Sequence, residues 1–255
     1  MAQLPIIHSG APEYSWVDRL RAMREAYEAA RERTPERATS DEALLDAWLV
    51  FHSLRLKGTP VRLEEVEAAR ADYPAEVVPA IAGALAAVAR VRVAAAAGEE
   101  LTPGLLLELN GLVDPETGGR LRAGPPLAVY QGHESPGPEA LDRLIENAAG
   151  WFTAESFTGE FHPVEQAALA LVRICDLQPF PSNNEMTARI GATLFTLRAG
   201  WPPIIVREEF EAEYRKAILH AIHLDTHLLV ELLARCVARA YDDLLNWNIH
   251  ALVDE

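Results

Sequence analysis

The stretch from His162 to Pro203, HPVEQAALALVRICDLQPFPSNNEMTARIGATLFTLRAGWPP, constrains this chain more than any other. Apolar residues recur at helical spacing from Val164 through Ala167, Ala168, Leu171, Ile174 and Cys175 to Leu177, and the run then meets Pro179. Proline lacks the backbone N–H a helix needs and clashes with the preceding turn, so the helix has a hard end. The turn Pro181-Ser182-Asn183-Asn184 follows, and a second helix is expected from about Glu185 to Arg198, with Gly200 as its left-handed exit. The amides that open this second helix face whatever the loop encloses, and such a helix start is an anion site by default.

This layout resembles the core of the Fic (Fido-fold) proteins, whose motif reads H-P-F-x-(D or E)-G-N-(G or K)-R-x-x-R. The resemblance rests on Pro179-Phe180, the loop and helix after it, the His162-Pro163 opening, and Ala199-Gly200-Trp201-Pro202-Pro203 downstream. It implies a mainly all-α fold, a Fic/Fido-like helical bundle with one short β-hairpin flap. Typical members transfer AMP from ATP to a protein hydroxyl: the motif His is the general base, the acidic residue holds Mg²⁺, and the Gly-Asn-Gly-Arg segment cradles phosphates. Here the span reads Gln178-Pro179-Phe180-Pro181-Ser182-Asn183-Asn184-Glu185-Met186-Thr187-Ala188-Arg189. Gln178 stands at the base position, and an amide has no titratable group near neutral pH. Ser182 stands at the carboxylate position, which removes the hard anionic ligand that Mg²⁺ requires. Glu185 and Met186 replace a Gly and an Arg, placing negative charge in a phosphate cradle and removing its bidentate cation. Arg189 keeps a phosphate-compatible charge, and Asn184 keeps a polar amide at the helix start.

Two functional readings follow from these departures. In the first, the chain is a divergent Fic/Fido-fold protein that has lost ATP-dependent AMP transfer and re-uses the pocket for a different polar small molecule or a non-AMPylating reaction. Gln178, Glu185 and His133 are then the catalytic candidates, and Tyr130, Phe180, Ser182, Asn183, Asn184 and Arg189 the ligand-binding ones. In the second, it is a catalytically inactive Fic-like module that binds or regulates a protein partner. A roomy pocket on which Gln178, Asn184, Glu185 and Arg189 converge favours the first. A pocket plugged by Glu185 in an i, i+4 pair with Arg189 favours the second. Neither reading implies a cofactor or a metal.

The chain has 255 residues, 49% of them apolar, enough for one extended core. A net charge of −15 argues against a nucleic-acid partner or an anionic membrane surface, since both reward Lys and Arg. The most apolar run, Ile81 to Ala97, is broken by Arg90 and Arg92 and reads as too short to span a bilayer. Two cysteines, Cys175 and Cys236, both in apolar helical runs, fit reduced thiols, and the N-terminal MAQLPIIHSG lacks a signal-peptide pattern, so the expected location is cytoplasmic. A homodimer is compatible with all of this.

Taken in order, residues 1–38 read as an irregular arm followed by an amphipathic helix from Trp16 to Arg33, and residues 39–250 as a single Fic/Fido-like unit. Thr39-Ser40-Asp41-Glu42 reads as a capping box opening a helix to about Lys57. The end of that helix, with His52 facing the pocket, resembles the family's inhibitory helix, but Lys57 stands where a Glu would pair with the second motif Arg, so that role does not carry over. Helices are also expected at Leu63 to Ala71, Glu76 to Gly98, Thr102 to Val113, Glu139 to Ala154, Arg207 to His223 and His227 to Trp247. Gly119 to His133 is the one good strand candidate and resembles the flap, with Pro125 and Pro126 removing two ladder donors. His220, His223 and His227 would share a helix face if the helix were continuous, but Leu224-Asp225-Thr226 reads as a break and N-cap, and no fourth ligand is adjacent.

Overall fold

The computed structural model describes residues 15–35, 38–70, 78–126 and 130–253. Among these residues the regular structure is helical: α1 (Ser15–Arg33), α2 (Ala38–Leu56), α3 (Leu63–Arg70), α4 (Pro79–Ala96), α5 (Pro103–Val113), α6 (Pro138–Phe152), α7 (Glu155–Glu160), α8 (Pro163–Leu177), α9 (Asn184–Arg198), α10 (Glu211–Ile222) and α11 (His227–Val253). Proline opens α4, α5, α6 and α8, where its missing N–H is harmless and its fixed φ suits the first turn. Thr102 caps α5 by accepting the Leu105 N–H at 3.1 Å. His162 caps α8 through Nδ1, and Glu165 completes a capping box by accepting the His162 N–H at 2.8 Å.

Helices α8 and α9 form the centre and pack on each other most extensively. Nearly every residue of both is buried, and they are enclosed by α4, α5 and α2 around α9 and by α6, α10 and α11 around α8. Close approach between elements depends on small residues: a Cβ on Gly83 of α4 would lie 2.4 Å from the Leu112 carbonyl oxygen of α5. That contact sets the height of the α5 C-terminus. Helix α1 lies along α11; its Leu20 is buried, and Trp16 packs edge-on against the His162 ring at 5.0 Å.

The sequence and the structure differ in four places. Helix α2 starts at Ala38, ahead of the Thr39 expected to cap it, and Asp41 lies in the first turn, where its carboxylate accepts the Tyr27 hydroxyl at 2.9 Å. The β-hairpin expected over Gly119 to His133 has no strand among its described residues, with 127–129 outside them; the consecutive prolines and a turn closed by the His133 N–H on the Tyr130 carbonyl take its place. Helix α7 is too short to leave a periodic signal. Helix α4 has the length and composition of a membrane span, with mean hydropathy 1.5 over 18 residues, contrary to the expectation that the run is too short. It packs instead against α2, α3, α5 and α9, and its arginines are paired, Arg92 with Asp46 at 2.7 Å and Arg90 with Glu99 at 2.8 Å and Glu108 at 2.9 Å.

Candidate functional site

The loop between α8 and α9 is held by its own polar groups. Asn184, first residue of α9, accepts the Phe180 N–H at 2.8 Å and donates to the Phe180 carbonyl at 2.9 Å, closing the loop on itself. Asn110 of α5, wholly buried, donates to the Ser182 carbonyl at 3.0 Å and to the Thr187 hydroxyl at 3.1 Å and accepts the Gly119 N–H at 3.2 Å. From the end of α5, Asp114 receives the Ser182 hydroxyl in a short hydrogen bond and the Thr117 hydroxyl at 2.6 Å. Burial opposes ionisation of Asp114, but Ser182, Thr117 and the backbone N–H groups of Thr117 and Glu116 outweigh it and hold the carboxyl at about 2.

Gln178 sits at the C-cap of α8 in the left-handed region, φ 42° and ψ 60°, where glycine is the usual occupant. Arg122 holds it there. This guanidinium, 4% exposed, donates to the carbonyls of Gln178 at 2.6 Å, Gly124 at 2.7 Å and Leu177 at 3.4 Å and to that of Pro136, while its backbone N–H donates to the Pro179 carbonyl at 2.8 Å. A cation at a helix C-terminus satisfies both the orphan carbonyls and the helix dipole.

One turn into α9, Glu185 accepts the Tyr130 hydroxyl at 2.8 Å with one oxygen and lies 3.5 Å from Arg189 Nη1 with the other. Arg189 is 2% exposed; its Nη2 donates to the Ser53 carbonyl of α2 at 3.2 Å, and its guanidinium lies 5.6 Å from the centre of the Tyr214 ring. Burial, with Cys175 and Glu185 nearby, pushes the Tyr130 phenol far up, so it is a donor at any ordinary pH. Burial does the same to the Cys175 thiol and removes it as a nucleophile.

These groups border a cleft of about 690 Å³ lined by Gln178, Ser182, Asn183, Asn184, Glu185, Met186, Arg189 and Tyr130, with Asp114, Pro115 and Glu116 from beyond α5, Leu56 and Lys57 from the end of α2, and Arg215 from α10. Both sequence criteria are therefore met together: the cleft is roomy and the four diagnostic residues converge on it, yet Glu185 is paired to Arg189.

Four residues are placed differently from the sequence expectation. His133 does not line the cleft; its Nε2 is 3.1 Å from the Asp176 carbonyl and 3.2 Å from the Asp176 carboxylate, because the turn at Gly132 directs the ring to the end of α8. Phe180 is wholly buried and anchors the loop in the core without facing the cleft, and the Asn184 side chain is occupied by Phe180's backbone. His52 faces Arg207 and the Glu208 and Glu209 carboxylates, and it is Ser53 and Lys57 of that helix end that reach Arg189 and the cleft. The histidines at 220 and 227 pair with Asp225 at 3.3 Å and Glu231 at 3.2 Å, on two helices separated by the expected break. Sequence reasoning missed Asp114, Arg122, Asn110 and Arg215. The only local hint for Asp114 was a Thr three residues later, the spacing of a side-chain turn.

No family model matches the chain. It is 35% identical over 143 residues to the protein adenylyltransferase Fic of Culex quinquefasciatus, a match covering 54% of this chain and 28% of that protein. The chain thus spans less than a third of the length of the curated relatives it matches. Among solved structures, a Fic-domain protein from Bacteroides thetaiotaomicron superposes with a TM-score of 0.78 at 17% identity, covering 91% of this chain and 97% of that one. Fic-1 from C. elegans superposes with a TM-score of 0.73 at 23% identity, covering 94% and 72% respectively. The chain thus has the Fic/Fido fold over nearly its whole length and is similar in sequence to Fic adenylyltransferases over about half of it.

Proposed function

We propose that this domain has lost ATP-dependent AMP transfer and uses the cleft to hold a different small polar molecule. The observation that carries the reading is Gln178: the residue at the position of the family's base borders the cleft, and its carboxamide is buried with no hydrogen-bond partner among the described residues. An amide there orients a ligand and cannot take a proton from a hydroxyl.

The loop's residues do not fit Mg²⁺ and ATP. At the metal-ligand position Ser182 is bonded to Asp114, whose oxygens already take Ser182, Thr117 and Asn183. In the phosphate cradle the Glu185 carboxylate lies against Arg189, the charge that a phosphate would need, and an uncharged Met186 replaces the first arginine. The curated relatives are named protein adenylyltransferases, which supports a protein as the partner on which the domain acts or docks. A second reading, a non-catalytic binding module, is favoured by the Tyr130, Glu185 and Arg189 chain, which closes the cationic end of the cleft.

Labelled ATP incubated with Mg²⁺, the protein and a cell lysate separates AMP transfer from its loss. No label above a heat-killed control is expected. Mg²⁺-dependent labelling of the protein or a lysate component overturns the proposal.

A further inference from the structure

Buried polar atoms without partners are rare, and each states what an environment has yet to receive. Four carboxamides are buried among the described residues: Asn110, Gln166, Gln178 and Asn184. Three of them are bonded. Asn110 and Asn184 are satisfied as described above, and Gln166 Nε2 donates to the Phe161 carbonyl at 2.8 Å and the Thr158 carbonyl at 3.3 Å. Gln178 is 1% exposed, and neither its Oε1 nor its Nε2 has a partner. The chain satisfies its buried amides wherever they serve the fold, and this one it does not.

The Gln178 backbone is fixed. Its left-handed conformation is uncommon for a residue with a Cβ, and Arg122 bonds the carbonyls on both sides of it, at Leu177 and Pro179 as well as at Gln178 itself. Arg122 thus fixes the backbone from which the amide projects. In the same cleft, Asn183 Oδ1 is a buried acceptor without a donor, and Arg189 Nε lacks a hydrogen bond while Nη1 faces Glu185 at 3.5 Å.

From these unmet groups we infer that the cleft's ligand presents a planar amide edge, an N–H beside a C=O, to Gln178. The inference rests on the reading that the cleft binds a small polar molecule. A glutamine side chain offers one acceptor and a donor pair in one plane, and it is complementary to a group carrying a donor and an acceptor side by side. The ligand N–H donates to Gln178 Oε1, and the ligand carbonyl accepts from Nε2. A further donor on the ligand meets Asn183 Oδ1, and an acceptor meets Arg189 Nε. Two sources carry this edge, a primary carboxamide and a lactam ring, and different probes distinguish them.

The test is calorimetric titration of the full chain with benzamide, uracil and benzoate, on the native protein and on Gln178→Met and Gln178→Glu. Affinities on the order of millimolar suit ligands this small. Benzamide or uracil is expected to bind, with benzoate about tenfold weaker or worse, since a site built to hydrogen-bond one edge rejects the analogue lacking it. Gln178→Met, close in volume, is expected to lose that binding and to raise the melting temperature, because it removes two unpartnered polar atoms. Gln178→Glu, which presents acceptors only, is expected to shift preference from benzamide to benzamidine. Failure of both amide probes to bind, equal binding of benzoate, or unchanged amide binding in whichever of Gln178→Met and Gln178→Glu folds overturns the inference. ATP with Mg²⁺, run as a separate arm, tests the underlying reading: label transfer sinks that reading whatever benzamide does. Absence of both transfer and amide binding sinks the amide edge alone.

Discussion

The Glu185 carboxylate lies between the Tyr130 hydroxyl at 2.8 Å and Arg189 Nη1 at 3.5 Å, so the guanidinium best placed to meet an anionic ligand already faces an anion of its own chain. The pairing is between residues four apart on α9 and needs no partner element to form. Its consequence is electrostatic: a phosphate entering this end of the cleft meets a negative charge where the helix dipole and Arg189 would otherwise attract it.

Removing that charge should therefore open the cleft to nucleotides. Glu185→Gln keeps the size of the side chain and its ability to accept from Tyr130. Calorimetry with ATP is expected to show affinity about tenfold or more above the native chain, since charges a few ångströms apart near a protein surface interact by several kcal/mol, ~4 at 4 Å. Unchanged or weaker ATP binding would show that Glu185 does not guard the site.

Restoring one residue of the family motif should not restore its chemistry. Gln178→His supplies a base but leaves no cradle to position phosphates, so proximity is missing, and no transfer from labelled ATP is expected. Combining it with Ser182→Asp, Asn183→Gly, Glu185→Gly and Met186→Arg is expected to recover measurable ATP binding. Transfer by the single variant would mean that the loop already holds a nucleotide in a productive pose.

Arg122 is the residue whose loss should damage the site through the fold. Its guanidinium serves four carbonyls at the end of α8 and in the segment before α6. Arg122→Met leaves them buried and unbonded, at an expected cost of about 2–4 kcal/mol in a denaturant titration. A loss below ~1 kcal/mol would contradict a role in holding Gln178 in its left-handed conformation.

Acid should loosen the protein through two histidines. Burial, with Arg21 adding to it, lowers His162 from 6.5 to about 4, and burial with Arg207 lowers His52 to about 4. Between these values the unfolded chain holds a proton on each ring that the folded chain does not, so their contribution to stability is full above 6.5 and is lost as pH falls toward 4. His162→Asn keeps a capping side chain at the start of α8 and removes one of the two titrations. Denaturation midpoints measured from pH 7 to 4 should fall less steeply for this variant. Parallel curves would show that His162 is protonated in the folded state as well.

Much of this architecture was legible because it is local. Proline at the first helical position and the 3.6-residue apolar period locate α5, α6, α8 and α9 to within a residue or two, and the Glu185 and Arg189 pair follows from their spacing alone. What the sequence could not show is set by packing between distant segments. Asp114 reaches Ser182 across 68 residues and Arg122 reaches Gln178 across 56, and no period or motif encodes such meetings. His133 differs for a local reason. Its loop suggested a place beside the old active site, and the turn at Gly132 puts the ring against Asp176. Asn184 and Gln178 look equivalent in sequence as polar amides beside Pro179-Phe180, and only the hydrogen bonds separate the one that closes the loop from the one left without a partner among the described residues.

The most direct test of the central claim is mass spectrometry of the small molecules released when the native protein and Gln178→Ala, purified identically, are denatured. A non-nucleotide compound that accompanies the native chain and is absent from the variant, with both proteins melting at nearly the same temperature, is the predicted result. Release of ATP or another adenine nucleotide from the native chain, or the same compound in equal amount from the variant, would contradict it.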